Sequence, residues 1–242
     1  MGGKMRAASV LVLTIVSLIS LSAHATEFFR RVEYPIESVF IPEGFDNNDS
    51  VQIVIHGKLP NSCYQVGYTS TELDQETNKL YISLVAYEYV GECSEYGAPY
   101  HLPVHAGLFR KAGSYGVYDK KSGIYLGSLT VGKAKAGPGG TDELDYAPVL
   151  DGFLNDTPKG KELVIRGAFN WSCLEISDIK VIPQQNVVVV LPQMKRNPEV
   201  KCAVGEFGYE VKRAITEKLP KGEFLLHVRS MGGQSINKVV LP

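Results

Sequence analysis

Hydrophobic and polar positions alternate with a period of two over much of the chain. Val51, Ile53 and Ile55 alternate with Gln52, Val54 and His56, and Leu80, Ile82 and Leu84 alternate with Tyr81, Ser83 and Val85. That period puts successive side chains on opposite faces of a strand. Long amphipathic helical patterns are absent from the sequence. Strands are predicted near Ser38–Ile41, Val51–His56, Tyr64–Thr69, Leu80–Tyr89, His101–Ala106, Ser114–Tyr118 and Ile124–Val131. A second set is predicted near Leu163–Arg166, Leu174–Ile182, Val187–Leu191, Phe207–Arg213, Glu223–Val228 and Ile236–Leu241. Turn-forming clusters separate them, among them Asp46-Asn47-Asn48-Asp49, Asp74 to Asn78 and Lys120-Lys121-Ser122-Gly123. Short strands punctuated in this way indicate an all-β chain of antiparallel sandwiches.

The two sets of strands belong to a repeat. Val54-Ile55-His56-Gly57 stands six residues before Cys63, and Val164-Ile165-Arg166-Gly167 stands six residues before Cys173. Cys93 follows Cys63 by 30 residues, and Cys202 follows Cys173 by 29. Gly113-Ser114-Tyr115 aligns with Gly222-Glu223-Phe224, and Gly123 with Gly232. Glu43-Gly44-Phe45 resembles Asp151-Gly152-Phe153. Landmarks held in order over this distance indicate a duplicated unit of about 100 residues. The expected domains are 26–131 and 146–242, with a flexible linker at 132–145, where Gly, Ala and Lys dominate Gly132 to Thr141.

Residues 1–25 read as a signal peptide rather than as part of the fold. Lys4 and Arg6 are followed by the apolar run Val10 to Leu21 and by the small-x-small site Ala23-His24-Ala25. The run is shorter than the roughly 20 residues of a spanning helix. The mature chain is therefore expected in the periplasm or outside the cell, with no transmembrane segment. Thiols pair in such a compartment. Four cysteines allow three connectivities, and the repeat selects Cys63–Cys93 and Cys173–Cys202. Each bridge would staple the open end of a hairpin, the first one turning at Asp74–Asn78. Cysteine-ligated zinc is disfavoured, because it needs closely spaced C-x2-4-C pairs.

The stretch Leu59-Pro60-Asn61-Ser62-Cys63-Tyr64, the return to Cys93 and the later Gly113-Ser114-Tyr115-Gly116-Val117 resemble small Ig-like sandwich domains of exported bacterial proteins. Asn170-Trp171-Ser172-Cys173 departs from this pattern by lacking the proline. The resemblance implies two tandem antiparallel Ig-like β-sandwich domains and a role in binding or envelope assembly.

Charge excludes little. Residues 26–131 carry 8 Lys+Arg against 13 Asp+Glu, and residues 132–242 carry 15 against 13. Neither half has the concentrated basic face that nucleic acid requires. His56 and His227 lie on predicted strands, and nothing close in sequence supplies either with a second ligand or a partner acid. His101 and His105 flank Pro103 on a predicted strand, about 13 Å apart at 3.3 Å per residue, so they cannot chelate one ion. No G-x-S-x-G elbow occurs, and Glu92 and Glu95 flank a loop as solvated charges. No catalytic residue, metal or cofactor is expected.

Ten of the thirteen tyrosines lie between Tyr64 and Tyr125. Tyr96 and Tyr100 fall in the segment between Cys93 and Pro103, beside Gly97 and Pro99, where they read as loop residues able to form a contact surface. The competing reading is local packing of that loop on its disulfide. The expected function is that of an exported, non-enzymatic binding protein of the cell envelope, touching a protein or cell-wall polymer through loops of the first domain. The alternatives are a periplasmic hydrolase with a site between the domains and a structural spacer.

Overall fold

The computed structural model describes residues 28–135 and 144–241. The expected signal peptide and the middle of the expected linker lie outside these residues. Nearly all the regular structure is β. The first repeat holds β1 (Phe29–Tyr34), β2 (Ser38–Phe40), β3 (Phe45–Asp46), β4 (Ser50–Lys58), β5 (Tyr64–Asp74), β6 (Lys79–Tyr89), β7 (Pro99–Leu108), β8 (Gly113–Asp119) and β9 (Tyr125–Gly132). The second holds β10 (Val149–Thr157), β11 (Gly160–Trp171), β12 (Leu174–Pro183), β13 (Val187–Arg196), β14 (Val204–Ala214), β15 (Phe224–Ser230) and β16 (Gln234–Val240), with one 3-10 turn at Met231–Gly233.

The repeat seen in the letters is also a repeat of topology. In the first copy β2-β4-β7 form one sheet, and β6-β8-β9 form the other with β5 on the far edge of β6. In the second copy β10-β11-β14 form the matching small sheet and β12-β13-β15-β16 the matching large one. Even the irregularities recur. The β5/β6 ladder slips between Val66 and Tyr68, and the β12/β13 ladder slips between Ile176 and Asp178. Most pairs are antiparallel, but β6/β8 and β13/β15 are parallel in their respective copies, as is the short β3/β9 pair. A parallel neighbour requires a crossover rather than a hairpin. Here the crossover is the strand of the opposite small sheet, β7 or β14.

Three strands escape the sequence pattern. In β1, the consecutive Arg30 and Arg31 break the apolar alternation and leave only Val32 and Tyr34 to show it, and the strand lies along the C-terminal half of β6. The two-residue β3 is too short to show a period. In β10, Asp151 and Gly152 resemble a turn. Gly152 is needed there because a β-carbon would stand 2.9 Å from Cγ2 of Val228.

Two cores lie between the paired sheets. In the first, Val51, Ile53 and Ile55 of β4 and Val104 of β7 meet Leu80, Ile82, Leu84, Tyr115 and Leu129 of the large sheet. In the second, Leu163 and Ile165 of β11 meet Val188, Val190, Leu226 and Val228. A third cluster joins the copies: Phe40 and Val54 pack against Val187, Val189, Leu191 and Leu225, with Tyr146 alongside. The four sheets therefore stack in series, the small sheet of the first copy lying on the large sheet of the second. β4 and β13 are buried on both faces, which is why Val187 to Leu191 reads as an unbroken apolar run.

The ends of the expected linker are built into this stack. Gly132 closes β9, and Ala134 is buried with its N–H donating to Oδ1 of Asn47. Tyr146 and Ala147, the first residues of the expected second domain, are buried just past its other end.

Candidate functional site

Both disulfides form as the repeat requires, joining Cys63 to Cys93 and Cys173 to Cys202. The Tyr64↔Glu88 and Leu174↔Arg196 registers show that each bridge closes the mouth of a hairpin. Two such bridges fit a non-cytoplasmic, oxidising location. Among the described residues no helix is long and apolar enough to cross a membrane.

The two tyrosines assigned to a contact loop part company. Tyr96 is exposed (69%), with the Lys58 ammonium 4.9 Å from its ring centre. Tyr100 is not a loop residue. It belongs to β7, is 4% exposed and packs in the first core. Its ring lies against Gly57, where a β-carbon would stand 2.6 Å from the phenolic oxygen. Tyr209 and Gly167 repeat the arrangement in the second copy. Burial pushes both phenols up to about 12. Tyr100 is thus a core residue. Glu92 and Glu95 are exposed, as expected of solvated loop acids.

The polar groups that the fold gathers lie instead along the seam between the copies. Even-numbered residues of β4 face it. Oε1 of Gln52 accepts hydrogen bonds from the Ser235 hydroxyl and, at 2.6 Å, from Nδ2 of Asn237. Nε2 of Gln52 lies 3.2 Å from Nε2 of His105. Oδ1 of Asn237 accepts from Nδ1 of His227 at 2.7 Å. His227 is 1% exposed, and burial pushes its imidazole down to about 4. It is therefore neutral at pH 7 with the proton on Nδ1, and Nε2 is buried without a protein partner among the described residues.

Two strand positions further along β15, Arg229 is 5% exposed. Nη1 of Arg229 donates to Oδ2 of Asp49 at 3.3 Å and to the Tyr146 hydroxyl at 3.2 Å, and Nη2 donates to the Glu43 carbonyl at 3.4 Å. The guanidinium also lies 4.2 Å from the ring centre of Phe45. A buried cation needs such pairing to offset lost hydration. Next to these groups the seam opens into a cavity of about 310 Å³. Phe45, Asp49, Gln52, Tyr146, Arg229 and Gln234 are among its walls.

At the other end of the seam His56 faces His101 across the β4/β7 ladder, and their rings stack with centres 6.0 Å apart. His105, four residues further along β7, is not brought to them; it joins Gln52. Nδ1 of His56 lies 3.4 Å from Oε1 of Glu223, which comes from the second copy. Burial holds the His56 imidazole below its usual value, although Glu223 pulls it upward. The expectation that His56 lacks neighbours therefore holds along the sequence and fails in space. No period in the letters reveals a cross-strand histidine or an acid some 170 positions away. Two features of the sequence could have revealed the seam: the polar Gln52 and His56 on an otherwise apolar strand, and the two-faced Val187–Leu191 run.

No protein family, curated protein or solved structure matches the chain.

Proposed function

We propose that the chain is an exported, non-enzymatic binding protein whose two sandwich repeats hold a hydroxyl-rich ligand, a segment of cell-wall glycan, in the cavity of the seam. The observation that carries this reading is the make-up of that cavity. Its walls combine aromatic side chains (Phe45, Tyr146) with planar amides and a carboxylate (Gln52, Gln234, Asp49), and it has the volume of a small-molecule site. Sugar rings offer C–H edges for the former and hydroxyls for the latter. The polar groups around it are tied to one another, which suits rigid recognition better than proton transfer. Export is supported by the paired disulfides and by the leader-like first 25 residues of the sequence. The Ig-like shape is supported by the two facing sheets of each copy.

The test is a titration of the tag-free mature chain with soluble N-acetylated oligosaccharides, followed by ligand-observed NMR. Binding by the native chain, with at least a tenfold loss in Gln234→Trp, is expected, because the indole fills the cavity. Gln234 is exposed, so the variant should melt as the native chain does. Equal binding by both proteins, or none by either, overturns the reading.

A second reading is favoured by the exposure of Tyr96 beside the first disulfide, with Phe28 and Val90 also exposed. In that case the partner is a protein. Capture that depends on Tyr96 and is indifferent to Gln234 would support it.

A further inference from the structure

His56, His101 and Glu223 offer one ligand atom each, and the three atoms lie within 4.8 Å of one another. The corresponding pair in the second copy is instructive. There the cross-strand partners are Arg166 and Glu210, which neutralise each other at 2.7 Å on the exposed face of the small sheet. The first copy replaces this ion pair with two imidazoles, at the place where the small sheet meets the second copy. It then receives a carboxylate from that copy.

Two imidazoles and one carboxylate form a donor set for a borderline transition ion rather than for Mg²⁺ or Ca²⁺, which take oxygen. A tetrahedral ion at about 2.0–2.1 Å from each donor holds its donors about 3.4 Å apart. The His56–Glu223 edge already has that length, 3.4 Å. His101 is exposed and can close the remaining edges by rotating its side chain. His56 is held in place, because the buried Phe40 stacks on its ring at 4.2 Å and 15°.

We propose that His56, His101 and Glu223 bind one divalent transition ion of the zinc class, and that this ion fastens the first copy to the second. It takes two ligands from one side of the seam and one from the other, with the fourth position left to water. The site lies apart from the glycan cavity and does not depend on it.

The experiment uses the full tag-free mature chain, stripped with chelator. Titration with ZnCl2 by calorimetry, with the metal content of the dialysed protein measured in parallel, should give one equivalent. Co²⁺ in its place should give the visible absorption of a four-coordinate ion. Saturating zinc should raise the melting temperature, since an ion that binds only the folded chain stabilises it. Glu223→Gln should weaken zinc binding tenfold or more, and His101→Asn should abolish it. Both side chains are exposed, so the metal-free variants should melt as the native chain does. Absence of stoichiometric zinc overturns the proposal. So does native-like affinity in Glu223→Gln, which would reduce the site to a surface histidine pair within one copy.

Discussion

Tyr96 and Tyr100 stand four positions apart and face opposite environments. The letters around them, Gly97 and Pro99, gave both the look of loop residues. Pro99 in fact opens β7, at the strand end where a missing N–H is tolerated. Once the strand begins there, its alternation turns Tyr100 inward onto Gly57. Tyr100→Ala should therefore destabilise the chain by about 3 kcal/mol, the cost of emptying a large aromatic site in a core. Tyr96→Ala should change stability by less than about 0.5 kcal/mol, as expected for an exposed side chain. Urea denaturation of the two variants checks this, and similar midpoints for both would contradict the placement of Tyr100. Side-chain direction was legible where the period was long, as at Val51, Ile53 and Ile55. It was illegible at this strand boundary, where one residue of register decides which face a ring joins.

At the scale of elements, most strands were legible because one face of each is regularly apolar. The exceptions are the charged edge β1, the two-residue β3 and β10 with its internal Asp151-Gly152. The duplicated Val-Ile-x-Gly motif was also legible, but its reason was not. Gly57 and Gly167 are retained at the ends of the motif because a tyrosine of the next strand, β7 or β14, lies flat over each. At Gly167 the space is tighter still, since a β-carbon would stand 2.1 Å from the Pro148 carbonyl oxygen. The Tyr209 hydroxyl donates to that same oxygen at 2.9 Å. Backbone cannot yield as a side-chain tip can. Gly167→Ala should therefore cost about 2–3 kcal/mol, at the upper end for overpacking, and Gly57→Ala less. Chemical denaturation of the pair gives the order, and an equal or reversed order would count against this packing.

On the scale of the whole molecule, the seam is what single-sequence patterns convey least. An alternating strand announces one buried face, and in β4 the polar Gln52 and His56 on an otherwise apolar strand hint at a second covered face without saying what covers it. Arg229 and Asp49 meet across 180 positions, and His56 and Glu223 across 167, distances over which spacing carries no signal. The apolar cluster of Phe40, Val54, Val189 and Leu225, with the buried Arg229 paired to the half-buried Asp49 beside it, couples the two copies. Heat should therefore unfold the chain in one cooperative transition, with calorimetric and van't Hoff enthalpies in agreement. Two resolved transitions would mean that the seam contributes little to stability.

The same seam has a consequence for how the chain is made. Synthesis runs from the N-terminus, so Phe40 and Val54 are complete while β13 is still about 130 residues away. At roughly 5–20 residues per second, that interval is on the order of ten seconds. In its later part, once β9 has been made, the first copy can close its own core and its own disulfide, yet it still presents a bare apolar sheet to its surroundings. Neighbouring nascent chains carry the same bare sheet at the same stage. A half-made chain is therefore a partner for another half-made chain, and its escape from that pairing depends on how soon its own second copy arrives.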